Sequence, residues 1–283
     1  MRTIVITGGT DGLGKGLALH HLRRGDRVVA VGSTPAKGRA LLAAAAHGGA
    51  ADRAAFLQAD LTSVAATREL TAALLDSHPR IDALVLCANR YRILGPRHLT
   101  PEGFEHSFAL AYLSRFVLSH GLRTALEAAP RPVVLNVGTP GVPLGRIHWD
   151  DLRLARRYSG TAATLQSFRA NDLLGVAFAA RHPHSRVRYI AYNPGVVATG
   201  MPDHLPQPLR ALTKAAFRVI AAPVAKAVPP MSGLLTDPPA EPFTAFDRTR
   251  RLPLSGTAFD RDAALRLDDI TRGLLDAPAG KGR

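Results

Sequence analysis

The sequence predicts one α/β domain, a parallel sheet wound on both faces by helices, and three observations predict it. Short β-branched runs alternate with longer Ala- and Leu-rich stretches along most of the chain, the pattern of strands joined by crossover helices. The strands Ile4-Val5-Ile6, Val28-Val29-Ala30-Val31 and Leu84-Val85-Leu86 are continuously apolar, as strands buried on both faces must be. The 283 residues, 46% hydrophobic and 20% charged, are enough for one substantial core.

Taken in order, residues 3–7, 27–31, 55–59, 83–87, 132–137 and 187–192 read as strands. Between them residues 13–24, 35–46, 63–77, 101–128 and about 160–181 read as helices. A Pro-rich stretch over 202–242 interrupts this alternation and is expected to cover one end of the sheet, because it does not read as a regular crossover. A last strand is expected near 243–246, giving about seven, and residues 277–283 read as a frayed tail. The expected organisation is a single domain over 1–283: a core over about 1–200, a substrate lid over about 200–242, and a C-terminal strand, helix and tail over 243–283.

Charge narrows the partners. Lys and Arg number 36 against 22 Asp and Glu, a net +14, which favours anionic ligands or surfaces. Nucleic acid has the charge but none of the expected modules or aromatic interleaving, so it is discounted. Mean hydropathy is +0.03 and no unbroken apolar run approaches the roughly 18 residues that a span requires, so no membrane span is expected. A single cysteine excludes an intrachain disulfide framework and leaves too few thiolates for structural zinc; no metal site is expected. The opening MRTIVITGGT runs straight into a strand without a secretory pattern, and a cytoplasmic protein is expected.

The first strand runs directly into Thr7-Gly8-Gly9-Thr10-Asp11-Gly12-Leu13-Gly14, which opens a helix. Glycines 8, 12 and 14 permit a tight turn and let backbone N–H groups approach a pyrophosphate at the positive end of that helix. About 20 residues on, where such a site reads the ribose 2′-substituent, the second strand ends Val31-Gly32-Ser33-Thr34 with no acid. Ser33 and Thr34 can donate to a phosphate, and Lys37, Arg39 and Lys15 add positive charge, so NADP is favoured over NAD; a solvated basic turn remains the plain alternative. Asp60-Leu61 follows the third strand, where the Asp would also suit the cap of the next helix.

The TGxxxGxG spacing resembles the short-chain dehydrogenase/reductase superfamily and its Rossmann-like sheet, and the resemblance extends over about residues 1–200. It implies that Gly8, Asp11, Gly12, Leu13, Gly14, Ser33, Thr34, Lys37, Asp60, Leu61 and Ala88 line the dinucleotide. It adds Pro194, Gly195, Val197 and Thr199 of the intact Pro-Gly-x-x-x-Thr pattern, which in relatives meets the nicotinamide amide and pyrophosphate. After the fourth strand the family's Asn-Asn-Ala-Gly is replaced by Leu86-Cys87-Ala88-Asn89, and its helix-four asparagine by Ala111. The fifth-strand Ser-Ser becomes Gly138-Thr139, so Thr139 keeps a hydroxyl at the catalytic serine position.

Ala163 to Asn171 is similar to the family's Ala-Tyr-x-x-Ser-Lys-x-Ala-Asn, most like the retinol-dehydrogenase-type branch, which shares the 25-residue separation of Thr139 and Thr164. The tyrosine position is Thr164 and the lysine position Phe168. An alkyl hydroxyl does not ionise near neutrality and Phe168 carries no charge, so the tyrosine proton relay cannot operate; both residues also read as plain packing.

The resemblance therefore implies an NADP-binding oxidoreductase acting on a carbonyl or hydroxyl of a small, secondary-metabolic substrate, with Thr139 as oxygen anchor and non-standard proton chemistry. Alternatives are a non-redox enzyme of cyclisation, dehydration or isomerisation on the same scaffold, and a catalytically silent NADP-binding or scaffold protein. Arg90, Tyr91, Arg92 and Arg97 could grip an anionic or polyketide-like phenolic substrate, Tyr91 or Tyr192 could donate a proton, and His148 and Trp149 could flank the site. Arg210, Lys214 and Arg218 read as the basic face of an amphipathic lid helix. By resemblance, helices four and six would pair in a homodimer or homotetramer, with Leu113, Phe116 and Val117 on that face.

Overall fold

The computed structural model describes residues 1–90, 93–197 and 222–277. Its sheet has the order β3-β2-β1-β4-β5-β6-β7-β8, parallel except for the last pair. The strands are β1 Thr3–Thr7, β2 Arg27–Gly32, β3 Ala54–Gln58, β4 Ala83–Leu86, β5 Val133–Val137, β6 Arg188–Asn193, β7 Phe243–Asp247 and β8 Arg250–Arg251. The register brings Thr7 level with Val31 and Leu86, so β1, β2 and β4 end together on one edge.

Alternate strand residues feed two cores. Ile4, Ile6, Val28, Ala30, Val85 and Leu135 pack under α1 Gly12–Arg23, α2 Pro35–His47 and α7 Val224–Thr236. Val5, Val29, Val31, Leu84, Leu86 and Val134 pack under α3 Val64–Ser77, α4 (residues 106–121), α5 Arg123–Glu127, α6 Gly160–Arg181 and α8 Arg261–Asp276. This double winding is what the continuous apolar strands predict.

Three expectations are corrected. The second half of the Pro-rich stretch is a crossover after all: α7 packs on α1 and leads into β7, which pairs in parallel with β6. A Cβ on Gly16 would lie 2.4 Å from Val224 Cγ1, so the two helices meet at close range. Pro229 and Pro230 forgo backbone bonds to the preceding turn, but burial of Val228, Met231 and Leu235 holds the helix. The helix expected to begin at 101 begins at His106, because Gly103 takes φ +78° in a turn closed by Thr100 N–H to the Phe104 carbonyl at 2.8 Å. The sheet also has an eighth strand, two residues long, beyond a turn in which Arg248 takes φ +57°. The lid stretch 202–221 and the end of the tail, 278–283, lie outside the described residues.

Candidate active site at the carboxyl edge of the sheet

The glycine loop has little slack. Gly8 at φ +66° and Gly12 at φ +49° occupy left-handed backbone that favours residues without a Cβ. A Cβ on Gly8 would lie 3.0 Å from the Ala88 Cα and N, and one on Gly14 only 2.3 Å from the Gly8 carbonyl oxygen. Thr7 Oγ1 accepts from the Ala88 N–H at 3.2 Å, so the loop and the β4 exit form one wall. Asp11 caps α1: its Oδ1 accepts from Gly12 N–H at 2.8 Å, and its other oxygen pairs with Lys37 Nζ. Leu13 is buried beneath α1.

At the next two exits Ser33 and Thr34 are exposed, and Thr34 precedes α2 without capping it through its side chain. Leu61 is buried, whereas Asp60 is exposed and folds back, its Oδ1 accepting from Thr62 N–H at 3.0 Å and Thr62 Oγ1–H at 2.8 Å. The cap of α3 is therefore Ser63, which accepts from Ala66 N–H, and not Asp60. At the β6 exit Gly195 takes φ +74°, its N–H donating to Asn193 Oδ1 at 2.9 Å. Pro194 is half-buried, and buried Val197 bridges to Ala222. Thr199 lies outside the described residues.

Thr139 sits half-buried just past β5. Thr164 is 5% exposed, and its Oγ1 has no hydrogen-bond partner among the described residues. Phe168, one turn along α6, is half-buried. Ala111 lies in a π-helical turn, Ala109–Leu113, and its carbonyl accepts from Asn171 Nδ2 at 2.6 Å. Asn171 thus satisfies the backbone of that irregular turn.

Arg115, which the sequence reading passed over, lies at the centre of this edge. Its side chain is 1% exposed; Nη1 donates to Asn136 Oδ1 and to the Val137 carbonyl at 2.8 Å, and Nη2 donates to the Ala88 carbonyl at 3.0 Å. Asn136 Nδ2 donates in turn to Asn171 Oδ1 at 3.0 Å and Tyr189 Oη at 3.1 Å. Two sequence signals point to this network: Arg115 shares the buried helical spacing of Tyr112, Phe116 and Ser119, and Asn136 interrupts an apolar strand. Asp172 was also missed. It continues the 164–168 spacing by another four residues, is 2% exposed, and accepts from Gly141 N–H at 3.1 Å, two residues past Thr139. Burial pushes its carboxyl up to about 8, partly countered by that hydrogen bond and by Arg169.

The short chain dehydrogenase family model matches residues 2–209, most of the chain. This protein belongs to the short-chain dehydrogenase family. A provisionally named daunorubicin C-13 ketoreductase of Streptomyces sp. (strain C5) is 33% identical over 269 residues, covering 94% of this chain and 90% of the relative. Human retinol dehydrogenase 13 is 29% identical over 204 residues, covering 72% of this chain and 61% of that enzyme, in keeping with the retinol-dehydrogenase-like branch. Among solved structures, a metagenomic short-chain oxidoreductase in complex with NADP superposes with a TM-score of 0.64 at 20% identity, over 88% of this chain and 98% of its own.

In this short-chain dehydrogenase the outlying candidates divide. Tyr91, Arg92, Arg210, Lys214 and Arg218 lie outside the described residues. Tyr192 is 1% exposed and burial raises its phenol, which makes it a packed strand-end aromatic rather than an acid. Arg90 is exposed, Arg97 donates to the Arg153 carbonyl at 2.8 Å, and Arg266 lies over the Trp149 ring. His148 lines a cavity of about 250 Å³ with Leu144, Arg146, Ser159, Thr161 and Leu165, beside the start of α6. Of the face expected to pair between subunits, Val117 is half-buried and part is covered by the chain itself. Leu113 and Phe116 are buried, Tyr112 Oη bonds Thr271 Oγ1 at 2.8 Å, and the Arg272 guanidinium lies over the Phe116 ring, so α8 packs on this part of α4. No helix among the described residues is long and apolar enough to cross a membrane.

Proposed function

We propose that this short-chain dehydrogenase uses NADP(H) to interconvert a carbonyl and a hydroxyl on a small secondary-metabolic substrate, with proton chemistry that does not use a tyrosine–lysine pair. The observation that carries the reading is the glycine cradle closed on Ala88, in which a side chain at Gly8 would meet the Ala88 backbone and one at Gly14 the Gly8 carbonyl oxygen, so that only bare backbone stands at the start of α1, as a phosphate site requires.

Backbone groups at Gly8, Gly12, Leu13 and Gly14 would hold the pyrophosphate, Ser33, Thr34 and Lys37 the 2′-phosphate, and Asp60 and Leu61 the adenine. Ala88, Pro194, Gly195, Val197 and Thr199 would hold the nicotinamide end. Bound there, NADPH supplies a hydride. Thr139 donates a hydrogen bond to the substrate oxygen and fixes its position, which is the larger part of what hydride transfer needs. The Thr164 hydroxyl, buried and without a hydrogen-bond partner among the described residues, relays a proton between that oxygen and water, and cannot itself serve as an ionised acid. Arg115 holds the Val137 and Ala88 carbonyls and so fixes Thr139 relative to the glycine loop. The relative named as a daunorubicin C-13 ketoreductase supports a ketone as the group reduced.

Replacement of the lysine by Phe168 favours one second reading, non-redox chemistry or silent cofactor binding on the same scaffold. NADPH oxidation against a panel of quinones, aldehydes and ketones separates the two. Substrate-dependent oxidation that disappears in Thr139→Ala supports the reductase, and product formed without NADPH consumption supports the second reading.

A further inference from the structure

The loop that follows Thr139 runs along α6 and is held there by a row of buried polar side chains. Gln166, Arg169 and Asp172 stand three residues apart, on a ridge that slants across the helix. Gln166 Oε1 accepts from His148 N–H at 2.9 Å, and its Nε2 donates to the Leu152 carbonyl at 2.9 Å. Arg169 Nε donates to the Gly145 carbonyl at 2.9 Å and its Nη2 to the Val142 carbonyl at 3.1 Å. Asp172 accepts from Gly141 N–H at 3.1 Å. As the helix advances, its partners thus step back along the loop toward Thr139. The two backbones come close midway, where a Cβ on Gly145 would lie 2.8 Å from the Leu165 carbonyl oxygen.

One donor of the row is left over. Arg169 Nη1 is buried with no hydrogen-bond partner among the described residues. Asp172 is its neighbour at i+3 on the helix, and among the described residues Arg169 is the charged group that acts on that carboxyl. The charges of adjoining elements are engaged elsewhere: Asp268 and Arg272 of α8 meet α6 at Arg181, and Arg115 of α4 is bonded to Asn136 and the strand-end carbonyls. Leu252 and Phe259, which pack near Gly141, carry no charge. Burial keeps Asp172 protonated up to about pH 8, and a neutral carboxyl leaves the guanidinium to the loop carbonyls. Once the proton is lost to water, a buried carboxylate competes for that guanidinium. It is the stronger partner, because a full charge attracts a cation more than a carbonyl dipole does.

Resting on the reduction at Thr139 read above, we propose that Arg169 and Asp172 are positioning residues for Thr139. With Asp172 neutral, Arg169 holds the stretch 142–145 on α6; with Asp172 ionised, the guanidinium turns to the carboxylate and that stretch is released. The loop that carries the substrate-oxygen anchor is then no longer fixed relative to Thr164 on the same helix.

The test has one arm that needs neither cofactor nor substrate. Arg146 is exposed and adjoins the held stretch, so brief trypsin treatment, with the cut after Arg146 followed by mass spectrometry, reports whether the loop is free. Wild type and Asp172→Asn are compared at the same pH, which cancels the protease's own pH dependence. At pH 9 wild type should be cut at least about fivefold faster than Asp172→Asn, and at pH 7 the two should match within about twofold. Arg169→Met should be cut fast at both pH values, with thermal melting to show that it is folded. Equal rates for wild type and Asp172→Asn at pH 9 overturn the proposal, as does a folded Arg169→Met that resists cutting. In the second arm, kcat for NADPH-dependent ketone reduction should fall from pH 7 to pH 9 about tenfold more in wild type than in Asp172→Asn, without a matching change in KM for NADPH. A kcat profile shared by the two proteins overturns the positioning of Thr139 even where the loop opens. Absence of NADPH oxidation by wild type at every pH is a different result: it removes the reductase reading, and the trypsin arm then decides the clamp alone.

Discussion

Arg115 on α4 donates to the Val137 carbonyl at 2.8 Å, at the last residue of β5. The same guanidinium reaches the Ala88 carbonyl past β4. One buried side chain thus ties together the two strand exits between which the nicotinamide end and the substrate oxygen are proposed to lie. A guanidinium suits this task because its donors diverge in a rigid plane, whereas a lysine ammonium presents a single point.

Arg115→Met should therefore strand the Val137 and Ala88 carbonyls and Asn136 Oδ1, at a cost of about 2–4 kcal/mol. Chemical denaturation measures it directly. Arg115→Lys should recover part of that loss; a methionine variant as stable as wild type would remove Arg115 from the account.

Asp172 gives a pH signature. Its folded carboxyl is raised to about 8 from 3.8, so between those values the folded state binds the extra proton, and stability falls as pH rises through that window. Above about 8 the loss levels off. Asp172→Asn is neutral throughout and can still accept from Gly141 N–H, so its melting temperature should exceed that of wild type by a margin that grows from acid to pH 8. A margin independent of pH would show that the carboxyl is not held protonated.

Restoring the family pair should restore the proton relay. Thr164→Tyr combined with Phe168→Lys places a phenol and an ammonium four residues apart on one face of α6, and kcat for a substrate that wild type reduces slowly should rise at least about tenfold. Either single change alone should give little. Thr164 is only 5% exposed, so tyrosine must displace its neighbours, and thermal melting should accompany the kinetics to check the fold.

The α4–α6 face should not form an intersubunit contact. α8 lies across Phe116, with Arg181 and Arg272 both bonded to Asp268, so the chain itself occupies part of the face that the resemblance pairs between subunits. Val117→Arg should consequently leave the sedimentation coefficient unchanged, and dissociation caused by that substitution would contradict this.

The parts of the fold legible in the sequence were those fixed by local pattern. β1 and α6 were expected almost to the residue because an unbroken apolar run and an uninterrupted Ala/Leu helix leave little ambiguity. The α7 crossover was not legible, since Pro229 and Pro230 argue locally against the helix that packing on α1 stabilises. The glycine loop was legible because its glycines are demanded by backbone geometry. Asp11 was counted with that loop, yet its pairing with Lys37 joins residues 26 apart in sequence, and no local rule reveals it. Arg115 and Asp172 were missed for a related reason, because their roles depend on which carbonyl or N–H the folded chain brings within reach.

The central claim is that the dinucleotide site persists although the tyrosine and lysine have been replaced. Fluorescence titration of the purified protein with NADPH tests it most directly. Saturable binding in the micromolar range that is lost in Gly14→Val, whose side chain would press on the Gly8 carbonyl, is the predicted result. No saturable binding of NADPH or NADH at millimolar concentration would contradict the claim and leave the glycine loop as architecture alone.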